Sequence, residues 1–397
     1  MKRRSESKFP VAQPVSSRPD PKSARGGREL DPLPILDRVG GHPDFTGRGV
    51  VAAFIDSGYY AHPDLVQPFS RIHAFHDVVQ GASGVEHLRD PDASAWHGMM
   101  SSVVAAGNGA LSNGRFRSLA PDMGLVLVKA GSLTHVYHED IARALEWVLV
   151  NRGRYDIRVL NVSCGGDWEA SHLEDPMSRF AEACVRAGIV VVAAVGNSGR
   201  NYIVPPASVP SVITVGGLDD EGNPHLGRIS AYRSSYGPTI DGLQKPEIIT
   251  LAEWIPAPIL PETPTHQQAK LLRLLDRAGD DELDAILDRH HGVYPALDEA
   301  RGRPAYLLRQ IIGGGLRDGL VLDDNYKMVD GTSFAAPIVT SVVGQMLEAN
   351  PSLKPLEVKR ILLQTARRVP GIDVDRQGWG AIDPRAAVER ALELKRR

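Results

Sequence analysis

Ser333 lies where a hydroxyl group can act as a nucleophile. In the stretch MVDGTSFAAPIVT, Gly331 and Thr332 precede Ser333, and an apolar run with helical spacing follows at 338–347. Small residues allow a tight turn, and the free N–H groups and dipole of a helix N-terminus favour negative charge. The same position also suits a simple helix cap, so residues elsewhere in the chain must decide between cap and nucleophile.

A serine nucleophile requires a base, and the base requires an orienting acceptor. A neutral hydroxyl is a poor nucleophile until a histidine takes its proton, and an acid on the other ring nitrogen fixes the histidine tautomer. Asp56 ends the apolar run AAFID, and His97 opens HGMMSSVVAAGNG, whose small apolar residues favour a buried helix. Asp56, His97 and Ser333 together meet both requirements.

Asn197, in AAVGNSG, supplies a fourth polar group. Its side-chain N–H can point at the charge that develops on an attacked carbonyl, and the backbone N–H of Ser333 can be the second donor. Taken alone, each residue has an ordinary explanation as a cap, a hydrogen-bonding group or a turn residue. Four such residues in suitable local contexts favour hydrolytic chemistry.

Strand-like and helical patterns alternate through the first 250 residues. Amphipathic helical patterns lie at 138–151 and 175–188 between β-rich apolar runs that are bounded by Gly, Pro or Asn. This alternation predicts an α/β fold with a mostly parallel central sheet covered on both faces. Ligands bind beyond the carboxyl ends of such strands, where Asp56, Ser163 and Asn197 fall. The β-rich runs are 47–58, 123–130, 157–166, 188–199 and 209–218.

Residues 252–327 interrupt this alternation. Amphipathic patterns at 263–279, 280–292 and 295–315 predict short helices joined by Pro- and Gly-containing links, with no clear strand pattern. We therefore predict a helical insertion within one domain made of residues 31–251 and 328–397. Residues 1–30 are predicted to be a disordered basic arm rich in Pro and Ser.

Composition excludes several function classes. The chain has 397 residues with 45 Lys and Arg against 48 Asp and Glu, so its net charge of −3 does not favour nucleic acid. No apolar run approaches the ~18 residues that cross a bilayer, and no apolar core follows Arg3 and Arg4 as in a signal peptide. Cys164 and Cys184 do not suggest a disulfide framework. We expect a cytoplasmic protein that binds neither nucleic acid nor membrane.

The chain resembles the subtilisin-like serine proteases from about residue 47 to 387, outside the insertion. IDSGYYAHPDL, HGMMSSVVAAGNG and GTSFAAPIVT match the Asp, His and Ser motifs of the family, and AAVGNSG matches its oxyanion stretch. LNVSCGG matches the strand that lines the substrate cleft. The order Asp, His, Ser is the order known for subtilisin. The resemblance implies a three-layer subtilisin-like α/β fold, with the predicted helical insertion added to it.

The resemblance also implies a role for each site residue. Asp56 becomes the orienting acid, His97 the general base and acid, Ser333 the nucleophile, and Asn197 the oxyanion donor. The implied activity is that of a serine endopeptidase that hydrolyses protein or peptide substrates through an acyl-enzyme, with the substrate added as an extended strand. The implied substrate-binding residues are Ser163, Cys164, Gly165, Gly166 and Val204.

The sequence departs from the family pattern in ways that bear on cofactors and latency. Many members bind calcium through the loop after the His helix and an Asp like Asp64, but loop 107–121 here carries two arginines and no carboxylate. We expect this calcium site to be absent, Asp64 to be a turn residue, and no cofactor to be required. The residues before Val50 show no strand–helix pattern, so we expect no folded pro-domain there.

Several alternatives stay open at the level of sequence. Residues 252–327 either gate the cleft, dock a protein partner or decorate the surface. A latent or inactive protease-fold binding protein, gated by these residues, is the alternative function, and acyl transfer to an amine would use the same four residues. Val204 and Pro205 suggest an apolar substrate side chain next to the cut, whereas Arg200 suggests an acidic one.

Overall fold

The computed structural model describes residues 32–132 and 135–395. The basic arm predicted for residues 1–30 lies outside the described residues. The strands are β1 Val51–Asp56, β2 Ile72–Asp77, β3 Ala82–Ser83, β4 Gly124–Lys129, β5 Ile157–Val162, β6 Val190–Ala194, β7 Ile213–Asp219, β8 Ser230–Ala231, β9 Gly237–Pro238, β10 Gln244–Lys245, β11 Ile248–Leu251, β12 Ile255–Pro258 and β13 Tyr326–Val329. The helices are α1 Ile35–Val39, α2 Pro63–Val66, α3 Trp96–Ala106, α4 His138–Tyr155, α5 Pro176–Arg186, α6 Pro264–Arg277, α7 Leu283–Arg289, α8 Pro295–Glu299, α9 Ala305–Asp318, α10 Thr332–Ala349, α11 Pro355–Thr365, α12 Val374–Gln377 and α13 Pro384–Lys395.

A 9-stranded sheet forms the centre of the molecule, in the order β11-β7-β6-β5-β1-β4-β2-β3, with β8 paired to β7. Neighbours from β11 to β2 run parallel, and only β3 and β8 are antiparallel. Every residue of β1 is buried, which explains why VAAFID reads as a continuous apolar run with no alternation. The prediction of a mostly parallel sheet is confirmed.

Helices cover both faces of this sheet. One apolar core joins the sheet to α3, α10 and α13, and a second core joins the opposite face to α4 and α5. The result is the predicted three-layer α/β arrangement. Because the strands are parallel, their carboxyl ends meet at one edge, where Asp56 ends β1 and Ser163 follows β5.

The helices α3 and α10 are buried on nearly all sides. In α3 every residue after Trp96 is buried, and in α10 every residue except Glu348 is buried. Small side chains permit this close packing. A Cβ atom added to Gly98 would lie 2.1 Å from the backbone oxygen of Gly58, so only glycine lets α3 approach the loop after Asp56.

The insertion consists of four helices, α6 to α9, between the strands β12 and β13. The segment predicted as one helix at 295–315 contains two, α8 and α9, separated by the turn that includes Gly302 and Pro304. Strands β12 and β13 pair antiparallel, with Ile255 opposite Val329. Sequence analysis showed no strand here because β12 carries two prolines, which are unusual within a sheet.

Among the described residues, no helix combines the length and apolar character needed to cross a membrane.

Candidate active site

Asp56 and His97 form a buried pair at the carboxyl edge of the sheet. The Nδ1 atom of His97 lies 2.7 Å from Oδ1 of Asp56. The same carboxylate accepts the backbone N–H of Ser57 at 2.7 Å and the hydroxyl of Ser101 at 3.1 Å. These bonds fix the carboxylate, and the carboxylate in turn fixes the orientation of the imidazole ring.

The pKa of His97 lies above its ordinary value of 6.5. Burial acts to lower this pKa, but the charge of Asp56 and the hydrogen bond to it outweigh burial and raise it. The pair therefore stabilises a protonated imidazole, which is the form that a histidine reaches after it has taken a proton from a nucleophile.

Ser333 is the second residue of α10 and is held against the end of β5. Its Oγ donates a hydrogen bond to the backbone oxygen of Ser163 at 3.1 Å, and Oγ of Ser163 donates to the backbone oxygen of Ser333 at 2.9 Å. The centroid of the Phe334 ring lies 5.5 Å from the centroid of the His97 ring. The start of α10 thus lies beside the histidine.

The Nε2 atom of His97 is buried and has no hydrogen-bond partner among the described residues. In the same arrangement the hydroxyl of Ser333 points to Ser163, so the serine–histidine hydrogen bond is not formed. Such bonds often tighten only when substrate is bound.

Asn197 is anchored to the start of α10 by one end of its amide. Its Oδ1 accepts hydrogen bonds from the backbone N–H and the hydroxyl of Thr332, both at 2.9 Å, and the hydroxyl of Thr332 accepts from the backbone of Gly196 at 3.2 Å. The Nδ2 atom faces Gly331, where an added Cβ would lie 3.5 Å away. Asn197 as a residue is exposed, and neither of these two hydrogen bonds uses its NH₂ group.

The predicted substrate edge lies beside Ser333 and against the segment after Asn197. The backbone N–H of Gly166 donates to the oxygen of Pro205 at 2.7 Å. A Cβ added to Gly165 would lie 2.8 Å from Cγ2 of Val204, so Val204 closes the space on that side. Ser163 is buried, whereas Gly165 is exposed and Gly166 is half-buried.

Cys164 is not a second nucleophile. Its thiol donates a hydrogen bond to the backbone oxygen of Ile55 at 3.7 Å. Burial raises the pKa of the Cys164 thiol well above its ordinary value, and the charge of Asp56 raises it further. The thiol stays protonated near neutral pH, so it lacks the thiolate needed for reaction.

The structure brings the sequence-predicted residues together in bonded pairs: Asp56 with His97, Ser333 with Ser163, and Asn197 with the turn before Ser333. Sequence reasoning missed Ser101, whose hydroxyl holds Asp56. A signal for it was available, because Ser101 follows His97 by four residues and so shares its face of α3. It also missed the bonding of Thr332 to Asn197, which joins residues far apart in the sequence.

Large apolar residues next to His97 and Ser333 pack as core. Met99 and Met100, which belong to α3, are 0% and 5% exposed and are part of the apolar core between α3 and the sheet. Phe334, next to the serine, is also buried and rests against the His97 ring.

The donor set around Asp64 does not fit calcium. Oδ2 of Asp64 accepts the hydroxyl of Tyr326 at 2.5 Å, and Oδ1 accepts the backbone N–H of Leu111 at 3.2 Å. Calcium requires six to eight oxygen ligands, whereas Asp64 here is surrounded by hydrogen-bond donors. Within residues 32–132 and 135–395, no group of three or more His, Cys, Asp or Glu side chains could hold a metal ion.

Comparison with known proteins places these features in a family. The sequence model of the subtilase family (Peptidase_S8) matches residues 47–292 and 301–380. The serine protease AprX of Bacillus subtilis is 31% identical over 355 residues, which cover 86% of this chain and 67% of that protein. Subtilisin Savinase of Lederbergia lenta is 30% identical over 198 residues, covering 49% of this chain and 63% of that protein. The chain thus spans less than two thirds of the length of Savinase.

Solved structures share the fold at low sequence identity. The CspB protease of Clostridium perfringens superposes with a TM-score of 0.64 at 14% identity, covering 90% of this chain and 97% of that chain. Fervidolysin of Fervidobacterium pennivorans, a keratinolytic enzyme related to subtilisin, has a TM-score of 0.59 at 20% identity and covers 90% of this chain and 45% of that chain. At these identities the likeness concerns the fold.

Proposed function

The chain belongs to the subtilase family and is a serine-type endopeptidase, and we propose that it cleaves peptide bonds through an acyl-enzyme formed on Ser333. The observation that carries this proposal is the buried bond of 2.7 Å between Asp56 and Nδ1 of His97, while Nε2 lies beside the start of α10 without a hydrogen-bond partner in the described part of the chain. A ring nitrogen in this state is a base for the neighbouring hydroxyl.

Acylation begins when the Ser333 side chain rotates and its hydroxyl donates to Nε2 of His97. His97 takes the proton as Oγ attacks the peptide carbonyl, and Asp56 stabilises the imidazolium that forms. His97 then donates the same proton to the leaving amine as the C–N bond breaks. The acyl group remains on Oγ as an ester.

Asn197 and the backbone N–H of Ser333 hold the oxyanion of each tetrahedral intermediate. This role for Asn197 is supported by the two bonds that fix its Oδ1 to Thr332 and do not use its NH₂ group. A donor fixed before the reaction requires no reorganisation when charge develops. In deacylation His97 activates a water molecule, which attacks the ester and releases the acid and free Ser333.

The proposed substrate is an extended segment of a protein or peptide chain. We propose that it pairs with the backbone of 163–166 by strand addition, which uses main-chain hydrogen bonds and tolerates varied sequences. We propose an apolar substrate side chain next to the cut, because Val204 lines the space beside Gly165. Arg200 is exposed away from this contact and provides the competing prediction of an acidic side chain.

The remaining expectations about cofactor and location stay predictions. We propose that no calcium is required at Asp64, because the Tyr326 hydroxyl and the Leu111 N–H already occupy its oxygens. A cytoplasmic location is supported by Cys164 and Cys184, which are both free.

A protein partner for the insertion is likewise a prediction. Replacing residues 260–324 with a short turn would keep the pairing of β12 with β13 and remove α6 to α9. If the insertion gates or docks, this variant differs from the full chain in its cleavage of folded proteins or in its bound partners. Unchanged activity and unchanged partners would leave the insertion as surface decoration.

Fluorophosphonate labelling of the full chain tests the proposed nucleophile. The reagent reacts with an activated serine in an open cleft, so the wild type should be labelled and Ser333→Ala should not. His97→Ala should lose labelling as well, because the serine loses its base. Labelling that persists in Ser333→Ala, or fails in the wild type while peptides are still cut, would contradict the assignment.

A further inference from the structure

A cavity of about 310 Å³ lies at the amino-terminal edge of the sheet, opposite to the candidate active site. Its walls come from segment 152–158 at the end of α4 and the start of β5, from residues 187–188 after α5, and from residues 352–355 before α11. Strand β5 begins in this wall and runs to the substrate edge at its other end. The cavity is therefore separate from the site that performs the chemistry.

Positive charge is concentrated around this cavity. Three basic side chains line it, those of Arg152, Arg158 and Lys354, whereas Asp156 supplies the one carboxyl group among the lining residues. None of the three basic side chains forms an ion pair with a carboxylate in the part of the chain that the structure describes. The whole chain has a net charge of −3, so this local excess of two positive charges runs against the overall balance. We call this space the basic cavity.

The two arginines use only part of their hydrogen-bonding capacity within the chain. Arg152 donates from Nε to the backbone oxygen of Ala187 and from Nη1 to that of Leu149, both at 3.3 Å. Arg158 donates from Nη2 to the backbone oxygen of Leu353 at 3.2 Å. A guanidinium group has five N–H donors. These bonds hold both groups in the wall and leave donors for a further acceptor.

Helix capping explains only part of this arrangement. Basic side chains often bind the last carbonyl oxygens of a helix, as Arg152 does beyond the end of α5. Lys354 instead precedes the first turn of α11, where the helix dipole disfavours a cation. Glu357 offsets part of that charge through its bond to the backbone N–H of Lys354, but it does not line the cavity. An anion in the cavity would satisfy the remaining charge.

We infer that the basic cavity binds a small anion that carries a phosphate group. A phosphate group has a charge of about −1.5 to −2 near neutral pH, which matches the excess of two positive charges. Guanidinium groups bind phosphate oxygens in pairs, and a lysine adds a point charge. The volume of about 310 Å³ lies at the lower end of the roughly 300–1,000 Å³ of small-molecule sites.

Binding at this place should stabilise the fold. A phosphate in the basic cavity would link the end of α4, the start of β5, the segment after α5 and the loop that follows α10. A ligand that binds the folded chain alone raises the free energy of unfolding along a saturable curve. The inference does not depend on the proposed function, because none of the lining residues belongs to the candidate active site.

Thermal unfolding of the full chain tests the site. Inorganic phosphate and glycerol 3-phosphate are titrated separately at constant ionic strength, with potassium chloride as the balancing salt. The melting temperature of the wild type should rise and then saturate. Lys354→Gln should raise the half-saturating concentration about tenfold, because it removes one charge-assisted contact. Its side chain is exposed and the bond to Glu357 comes from its backbone, so this variant keeps the cap of α11.

Asp156→Asn provides the opposite test, a gain of binding that misfolding does not produce. Asp156 has a φ of 51°, in the left-handed region that asparagine also adopts. The substitution removes the carboxylate that repels an anion, so the half-saturating concentration should fall about fivefold.

Arg360→Gln is the matched control, because it removes one positive charge from an exposed position of α11 that does not line the cavity. It should keep the wild-type curve. Phosphate also stabilises proteins by exclusion from their surface, but that effect is equal in all variants and does not saturate. A linear rise, or equal curves for all four proteins, would therefore overturn the site. A lower half-saturating concentration for glycerol 3-phosphate would identify a phosphate ester as the ligand, and equal values would identify inorganic phosphate.

Discussion

We call the sheet domain outside the insertion the catalytic body. Its helices α3 and α10 bury apolar surface in a different way from the insertion helices α6 to α9. In α10 almost every residue is buried, and small side chains such as Ala335 and Ala336 allow contact on all sides. In α6 and α9 a single stripe is buried, and it faces a small core formed within the insertion. A group on α10 therefore has fixed surroundings in every direction, as a catalytic side chain requires.

The two regions meet at the antiparallel pair of strands β12 and β13, which flank the insertion and which we call the hairpin. The hydroxyl of Tyr326 reaches Asp64 in the body, and His266 in α6 lies 3.2 Å from Oδ1 of Asn325. None of these contacts includes Asp56, His97 or Ser333. We therefore expect changes in the body to alter chemistry, changes in the insertion to alter local stability, and changes at the hairpin to alter the stability of both.

The largest expected effect is the loss of the buried pair in the body. Asp56→Asn should lower kcat by about 10⁴-fold, because the amide no longer fixes the histidine tautomer or stabilises its charge. It should also move the acidic limb of the pH–rate profile to lower pH, since Asp56 is what raises the pKa of His97. Initial rates from pH 5 to 9 measure both effects, and a profile with an unmoved limb would contradict the assignment.

A smaller loss is expected when the proposed oxyanion donor, Asn197, is removed. Asn197→Ala should lower kcat by about 10²–10³-fold and change KM little, because the donor acts on charge that develops during the reaction. Thr332→Val is the matched control: it removes one of the two bonds to Oδ1 but keeps the NH₂ group. If both variants lose activity equally, Asn197 serves to hold the turn and does not act as a donor.

A substitution in the insertion should separate stability from chemistry. Leu275 is fully buried in the insertion core, so Leu275→Ala should destabilise α6 to α9 by about 2–5 kcal/mol. Hydrogen exchange should rise at 264–318 while kcat/KM for a small peptide stays within about twofold. Val339→Ala, in the buried face of α10, is the comparison variant and should raise exchange in the sheet domain. A comparable fall in activity for Leu275→Ala would break the distinction between the regions.

The hairpin contact should stabilise both regions without metal. Tyr326→Phe removes the hydroxyl bonded to the buried Asp64 and should lower the free energy of unfolding by about 1–3 kcal/mol. EDTA should leave the melting temperature of the wild type unchanged. A marked fall in EDTA that calcium reverses would overturn the proposal that this position needs no metal.

The last prediction concerns the pH dependence of stability, which a carboxyl group just before β12, that of Glu253, should influence without affecting the chemistry of the site. Burial, with the charges of Asp219 and Asp330, raises the pKa of Glu253 to about 8. The folded chain thus holds a proton that the unfolded chain releases above about pH 4.5, so stability should fall as pH rises from about 5 to 8. Glu253→Gln should remove most of that fall, as measured by urea unfolding at several pH values.

Glu299→Gln, at an exposed position of the insertion, is the control for that experiment. It should leave the pH dependence of stability unchanged. If Glu253→Gln and the wild type lose stability in parallel between pH 5 and 8, Glu253 releases its proton at the same pH in both states and the raised pKa is wrong.

Much of the catalytic body could be predicted because its signals are local. A parallel strand buried on both faces needs a continuous apolar run, and Val51–Asp56 is one. Asp56 is the last residue of such a run and Ser163 directly follows another, so the direction of the strands places both at the carboxyl edge of the sheet. The hairpin could not be predicted in the same way, since the prolines of β12 resemble a linker until β13 pairs with them.

The amino-acid sequence was sufficient to predict the fold class and to propose Asp56, His97, Asn197 and Ser333 as site residues, because apolar periodicity and short motifs each lie within a few neighbouring residues. The tertiary structure was needed to find which donors surround Asp64 and which oxygens surround the buried ammonium group of Lys245. Those contacts join residues up to 262 positions apart, and no local pattern encodes a partner at that separation. The physical reason is that burial brings distant polar groups together, and each must then find a partner within the folded chain.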